Sequence, residues 1–174
     1  MFNTFYPDAY VASTYVIAFE ELYEKGYRGL IFDIDNTLVP HGKPADHRAI
    51  VLFERLRRIG FDTCLISNNQ EPRVQPFAEQ VESRYVYDAH KPSTKNYRKA
   101  MELMGTDENT TLFIGDQLFT DVWGAKRTGI KSILVMPIHP KEEIQIVLKR
   151  YLEKIVLHFY KKDKKLGKIS SDVI

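Results

Sequence analysis

Short apolar runs alternate along this chain with segments of helical period, and each run stops at residues able to do chemistry. GLIFD (Gly29 to Asp33), DTCLIS (Asp62 to Ser67), TLFIG (Thr111 to Gly115) and SILVM (Ser132 to Met136) have the length and composition of buried strands. RYVYDA, Arg84 to Ala89, is a weaker fifth whose tyrosines suit a strand nearer an edge. Strands separated by helix-length segments build βαβ units. The expected fold class is therefore α/β, a three-layer Rossmann-like arrangement around a central, mainly parallel sheet.

The intervening segments carry helix signals. Asp46 can cap a helix whose stripe is Ile50, Phe53 and Leu56 and whose stop is Gly60. Pro72 and Pro76 precede or interrupt a Val74, Phe77, Val81 stripe, so that helix is expected to begin near Pro76 or to kink there. Ser93 or Thr94 caps a segment with Tyr97, Met101 and Met104 on one face and Gly105 at its end. FTDVWGAKRTG reads as a further helix capped near Thr120 or Asp121. From Lys141 a long amphipathic helix places Ile144, Val147, Leu148, Tyr151, Leu152, Ile155 and Phe159 on one broad face, and the polar tail from Lys161 is expected to fray.

At 174 residues and 44% hydrophobic residues the chain fits one domain over its whole length, with an N-terminal extension over about residues 1–27 and the amphipathic helix and basic tail over about 141–174. A net charge of +2 argues against nucleic acid as the main partner, and what positive excess exists lies beyond Pro140. The single cysteine, Cys64, sits in an apolar run and reads as a core residue in a reducing, cytoplasmic setting. No apolar run approaches the ~18 residues of a membrane span.

In a doubly wound sheet, ligands bind beyond the carboxyl ends of the strands. The runs end in Asp33 and Asp35, in Ser67 and Asn68, near Lys91, and in Asp116 with Asp121. Several carboxylates, a hydroxyl and a lysine on one edge suit Mg2+ beside a phosphate, and a divalent cation lets Asp33 and Asp35 sit close together.

The same pieces, DIDNTL (Asp33 to Leu38), LISNN (Leu65 to Asn69), Lys91 with Pro92, and GDQLFTD (Gly115 to Asp121), resemble in content and order the haloacid dehalogenase (HAD) superfamily of phosphotransferases. SNNQEPRV, GDQLFTDVWGAKRTG and MPIHPKEEI make the chain similar, over roughly residues 28–155, to the YqeG-like subfamily of class IIIA phosphatases. The resemblance implies that Asp33 is a nucleophile forming an aspartyl phosphate and that Asp35 is the general acid and base. It implies that Ser67, a main-chain N–H at Asn68, and Lys91 bind and neutralise the phosphoryl group. Mg2+ would be held by Asp33, Asp116 and the main-chain carbonyl of Asp35, with Asp121 supporting that shell or holding Lys91, and Thr37 would support the loop.

About two dozen residues separate Leu38 from Asp62 and about twenty separate Gln70 from Lys91, so no cap domain is expected over the site. An open site suits a phosphate carried on something large. The subfamily's likeness to phosphatidylglycerophosphate phosphatases points to a lipid head group at a membrane surface. A soluble sugar or nucleotide phosphate, a phosphorylated macromolecule, and a receiver-like module that binds Mg2+ and phosphate without turnover stay open as alternatives. The five histidines lack metal-ligand spacing, while His41 and His90 flank site motifs and are candidate substrate contacts. Phe2, Phe5, Tyr6, Tyr10 and Tyr15, together with the last helix, pack onto the domain, onto a second copy in a homo-oligomer, or onto a membrane.

Overall fold

The computed structural model describes residues 2–139, 144–171 and 173–174, the side chain of Gln145 excepted. Six strands, β1 (Ala9–Val11), β2 (Gly29–Phe32), β3 (Asp62–Ile66), β4 (Arg84–Val86), β5 (Thr111–Gly115) and β6 (Lys131–Val135), form one open sheet in the order β1-β6-β5-β2-β3-β4. Every pairing is parallel, so the expected mainly parallel sheet is wholly parallel. β2 lies at the centre, paired with β3 and β5, and its four residues are all buried. Being covered on both faces is why its sequence is continuously apolar rather than alternating.

Alternate residues of the strands point to opposite layers. Leu30, Phe32, Leu65 and Ile114 join one core with α1 (Phe19–Glu24), α2 (His47–Ile59) and α3 (Glu71–Val81). Ile31, Cys64, Ile66 and Phe113 join a second with α4 (Thr94–Met104) and α5 (Trp123–Thr128). These are the three layers. Cys64 is fully buried and burial pushes its thiol up to about 12. Iodoacetamide at pH 8 should therefore leave the native chain unmodified and alkylate it once denatured, as read by intact mass; rapid native alkylation would contradict this packing.

β1 has no counterpart among the expected strands and lies inside what the sequence suggested was an extension. Three residues are too few to show a period. Its register on β6 is fixed locally, because the Asp8 N–H donates to the Ser132 carbonyl at 3.0 Å while Asp8 Oδ2 accepts from the Ser132 N–H at 2.8 Å.

Asp46 caps α2 as expected, accepting from the Ala49 N–H at 2.8 Å, and Gly60 ends it at φ 118°. α3 starts at Glu71, not near Pro76. Pro72 falls in the first turn, where no helical N–H partner exists, and Pro76 gives up one bond inside the helix while Val74, Phe77, Ala78 and Val81 remain buried. α4 follows its expected cap and stop, although the Ser93 side chain makes no capping bond.

The largest departure is α6 (Ile144–Lys165). Its expected start at Lys141 lies outside the described residues. Most of the broad apolar face from Ile144 to Phe159 is left to solvent, with Ile144, Leu148, Tyr151, Leu152 and Ile155 exposed, although Phe159 meets the start of the chain. The helix buries Glu153, Val156 and Tyr160 instead, the last two in a third core with Tyr6, Leu118, Val122 and Leu134. The aromatic start of the chain packs there, Phe2 on Phe159 and Tyr6 on Tyr160, with ring centroids 5.4 Å apart in each pair. Nor does the tail simply fray: Val173 is fully buried in the first core, and its carbonyl accepts from Lys25 Nζ at 3.0 Å. No described helix is long and apolar enough to cross a membrane.

Between β2 and β3 the described chain supplies only α2, and between β3 and Lys91 only α3 and β4, so no cap domain stands over the carboxyl edge.

Candidate active site

β2 runs directly into Asp33, whose N–H continues the ladder to the Ile114 carbonyl at 3.0 Å. The chain then turns sharply. Asn36 takes the left-handed conformation at φ 62°, its N–H reaching the Val39 carbonyl at 2.7 Å, while Thr37 and Leu38 donate to the Ile34 carbonyl. Asparagine tolerates this region better than most residues with a side chain. The turn places Asp33 and Asp35 over the sheet edge but points their carboxylates into different surroundings.

Asp33 faces inward. Lys91 Nζ donates to Asp33 Oδ1 at 2.6 Å and to Asp121 Oδ1 at 2.7 Å, and all three side chains are almost wholly buried. Asp121 was expected near a helix cap. It lies within a π-helical turn, Leu118–Val122, ahead of α5, and its Oδ2 accepts the main-chain N–H groups of Asp116 and Gln117 at 3.1 Å each. Asp121 thus holds both Lys91 and the loop after β5. Gly115 fits because a Cβ there would come within 2.4 Å of Asp121 Oδ2.

Asp116 completes the cluster. One carboxylate oxygen from each of Asp33, Asp116 and Asp121 lies within 4.8 Å of the others. Thr37 Oγ1 stands 3.1 Å from Asp116 Oδ1 and 3.5 Å from Asp33 Oδ2, bridging the first and last motifs. The far side of Asp116 is closed by α6. Arg150 Nη1 donates to the Asp116 carbonyl at 2.6 Å, its Nη2 bonds the Asp116 carboxylate, and Nη1 also reaches Glu153 at 2.8 Å. Glu153 Oε1 in turn accepts the Leu118 N–H at 2.7 Å.

Burial, opposed by Lys91 and reinforced by the charges of Asp121 and Asp35, pushes the Asp33 carboxyl up to about 7. Asp116 is likewise raised, by burial first and then by Asp33 and Asp121, with Arg150 pulling against them. The attraction of Asp121 and Asp33 outweighs burial at Lys91 and raises its pKa, keeping it cationic. Among the described residues, the buried acids Asp33, Asp116, Asp121 and Glu153 meet two cations, Lys91 and Arg150. Counted in their ionised forms, the acids exceed the cations by two. Hard oxygen donors in close array with that surplus fit a divalent cation such as Mg2+, which would reverse the upward push on the carboxyls.

Asp35 lives differently. Burial raises its carboxyl, but the hydrogen bond from Arg73 at 2.9 Å, the Gly42 N–H at 2.8 Å, and the charges of Arg73 and His41 outweigh it and hold the group below the ordinary carboxylate range. Asn69 Nδ2 donates to its second oxygen at 2.7 Å. Two acids two residues apart are thereby held in unlike states, one raised and one lowered.

Ser67 Oγ accepts from both the main-chain N–H and the side-chain amide of Asn69, each at 3.1 Å, so the proton it can give is its own. The Asn68 side chain is committed to Lys91, accepting its main-chain N–H at 2.7 Å. These groups line an open cleft of about 200 Å³ that holds Asp33, Asp35, Ser67, Asn68, Asn69 and Lys91, with His41 at the edge and Ile146 and Lys149 of α6 along one wall. His90 does not line it; its exposed ring turns back to the Asp88 carbonyl at 2.6 Å.

The structure therefore gathers Asp33, Asp35, Thr37, Ser67, Asn68, Lys91, Asp116 and Asp121 at one sheet edge. The sequence reading missed Arg73, Asn69, Arg150 and Glu153. Asn69 and Arg73 stand within the quoted SNNQEPRV stretch and could have been flagged there. Arg150 and Glu153 sit one helical turn apart in a lysine-rich helix, which gives no sign that they reach a strand end.

Comparisons with known proteins bear on the family and the fold. Residues 89–137 match the family model described as HAD-hydrolase-like. The chain is 36% identical over 159 residues to "Probable phosphatase YqeG" of Bacillus subtilis (strain 168), spanning 91% of this chain and 92% of that protein. It is 25% identical to "Phosphatidylglycerophosphate phosphatase 1, chloroplastic/mitochondrial" of Arabidopsis thaliana over 85% of this chain and 48% of that longer protein. Among solved structures, a HAD superfamily (subfamily III A) hydrolase of Legionella pneumophila superposes with a TM-score of 0.51 at 20% identity, covering 66% of this chain and 68% of the other, a likeness of fold. Fold, ordered motifs and near full-length identity together establish that this chain belongs to the HAD superfamily, in its YqeG-like phosphatase branch.

Proposed function

We propose that the chain is a Mg2+-dependent phosphomonoesterase that works through an aspartyl phosphate on Asp33 and takes phosphatidylglycerophosphate as its substrate. The observation that carries the mechanism is the buried Lys91 bridge between Asp33 and Asp121, with a carboxylate oxygen of Asp116 within 4.8 Å of theirs, and Asp33 and Lys91 lining an open cleft.

In the first step an Asp33 oxygen attacks phosphorus, forming the acyl phosphate as the bond to the leaving alkoxide breaks. Ser67 donates its proton to a phosphoryl oxygen, and Lys91 offsets charge on the nucleophile and on the transferring group. Asp35, held ionised by Arg73 and the Gly42 N–H, first takes up a proton from solvent as it leaves Arg73, and then protonates the departing oxygen. In the second step Asp35, ionised again beside Arg73, takes a proton from the water that attacks phosphorus and frees Asp33. A Mg2+ ion held by Asp33, Asp116 and the main-chain carbonyl of Asp35 would supply charge neutralisation for the phosphoryl oxygens. The lipid substrate is supported by the uncovered cleft and by the likeness to the plant phosphatase.

The test is phosphate release by the purified chain from phosphatidylglycerophosphate in vesicles and from soluble sugar, nucleotide and aryl phosphates, with Mg2+ and with a chelator. Release that requires Mg2+ and is fastest from the vesicle-borne lipid is the expected result. Mg2+-dependent release that prefers a soluble ester would keep the chemistry and remove the lipid. No release under any condition would leave a binding module.

A further inference from the structure

α6 presents its apolar side to solvent. Ile144, Leu148, Tyr151 and Leu152 are 78%, 65%, 64% and 57% exposed, and Ile155 and Phe159, the latter stacked on one side by Phe2, continue the row. At ~100° per residue these six fall within a stripe roughly 100° wide, opposite the side that buries Glu153, Val156 and Tyr160. A helix packed on one side normally shows water a polar back. This one shows a second apolar face.

Among the described residues, the exposed charges of this helix are of one sign. The helix's described acids are both turned inward: Glu153 is buried against Arg150 and the Leu118 N–H, and Asp163 accepts the Tyr6 hydroxyl at 2.9 Å. The exposed charged residues of the helix are all lysines, at 149, 154, 161, 162, 164 and 165. Lys149 and Lys154 flank the stripe on opposite sides, where their stems can lie along it while their ammonium groups reach outward. Ile146 and Lys149 of the same helix also border the catalytic cleft. A second copy of the chain, pairing face to face, would set lysines against lysines. An anionic bilayer offers both an apolar layer and the opposite charge.

We propose that the outward face of α6 docks in the interface plane of an anionic lipid bilayer, its apolar row sunk among the acyl chains and its lysines on the head groups. The proposal takes its purpose from the lipid-phosphate reading above, while its evidence is the helix alone.

The full chain is sedimented with vesicles of phosphatidylcholine, and of phosphatidylcholine with phosphatidylglycerol. The wild-type chain should pellet with the second and not the first, and less so as salt is raised. The double variant Leu148→Glu, Leu152→Glu removes apolar contact at exposed positions and should partition at least tenfold more weakly, with hydrolysis of a soluble aryl phosphate unchanged. The pair Lys161→Glu, Lys165→Glu should abolish the preference for phosphatidylglycerol. Equal binding to both vesicles, no binding to either, or wild-type binding by the Leu variant would overturn the proposal, as would a dimer in light scattering that the Leu variant dissociates. Docking without phosphate release would count against the phosphatase reading alone. Release from the soluble ester without docking would count against the surface alone.

Discussion

Asp33→Asn is expected to abolish phosphate release, by at least about a thousandfold, while leaving the chain folded. An amide cannot form the acyl phosphate, so the loss falls on the chemical step and not on binding. The side chain keeps its shape, and Lys91 keeps Asp121. Because burial and neighbouring charges push the Asp33 carboxyl up to about 7, removing its charge relieves a cluster that holds more acids than cations. The melting temperature should therefore hold or rise. Turnover near the wild-type rate would remove Asp33 from the nucleophile's role; a collapsed melting curve would mean that the residue serves the fold.

Lys91→Met should fail in the opposite way, losing both activity and stability. Lys91 is the cation between Asp33 and Asp121, deep enough that its side chain is 4% exposed. Breaking a buried ion pair on one side typically costs about 3–5 kcal/mol, because the remaining charge has neither water nor a partner. In a chain of this size that corresponds to a fall of roughly 6–20 °C in melting temperature. Added Mg2+ should recover part of this fall, and proportionally more than it adds to the wild type, since the variant leaves a larger negative surplus. Differential scanning fluorimetry with chelator and with Mg2+ reads both effects. An unchanged melting temperature would mean that solvent reaches Asp121 and that the bridge contributes little.

The contrast between these variants follows from what the sequence could and could not reveal. The core strands were legible because burial on both faces forces continuous apolar runs such as GLIF and TLFIG. The acids were legible because they follow those runs directly, and chain direction alone brings them to one edge. Local signals at Asp46, Gly60 and Gly105 marked helix ends correctly, since caps act within a few residues. What was hidden depends on distance along the chain. Arg150 reaches Asp116 across 34 residues, and nothing in its own neighbourhood records the contact. The apolar period of α6 was visible, but a period does not say which of two faces meets the core. There the third core chose Val156 and Tyr160, turning the more apolar side outward. β1 was hidden by brevity, and α3 starts ahead of the first of its two expected readings because Pro72 falls in the first turn, where no helical N–H partner exists.

The place of β1 has a consequence for how the chain assembles. Ala9 lies opposite Ile133, so the edge strand made first on the ribosome must wait for a partner synthesised 124 residues later. The central β2–β3 pairing closes a much shorter loop, Gly29 to Asp62, and can form while synthesis continues. Phe2, Tyr6 and the residues around them also need α6, which emerges later still. For most of synthesis the opening segment is an aromatic, unpaired strand beside an incomplete sheet, the kind of edge that invites pairing with another chain. Its protection is the arrival of the last helix.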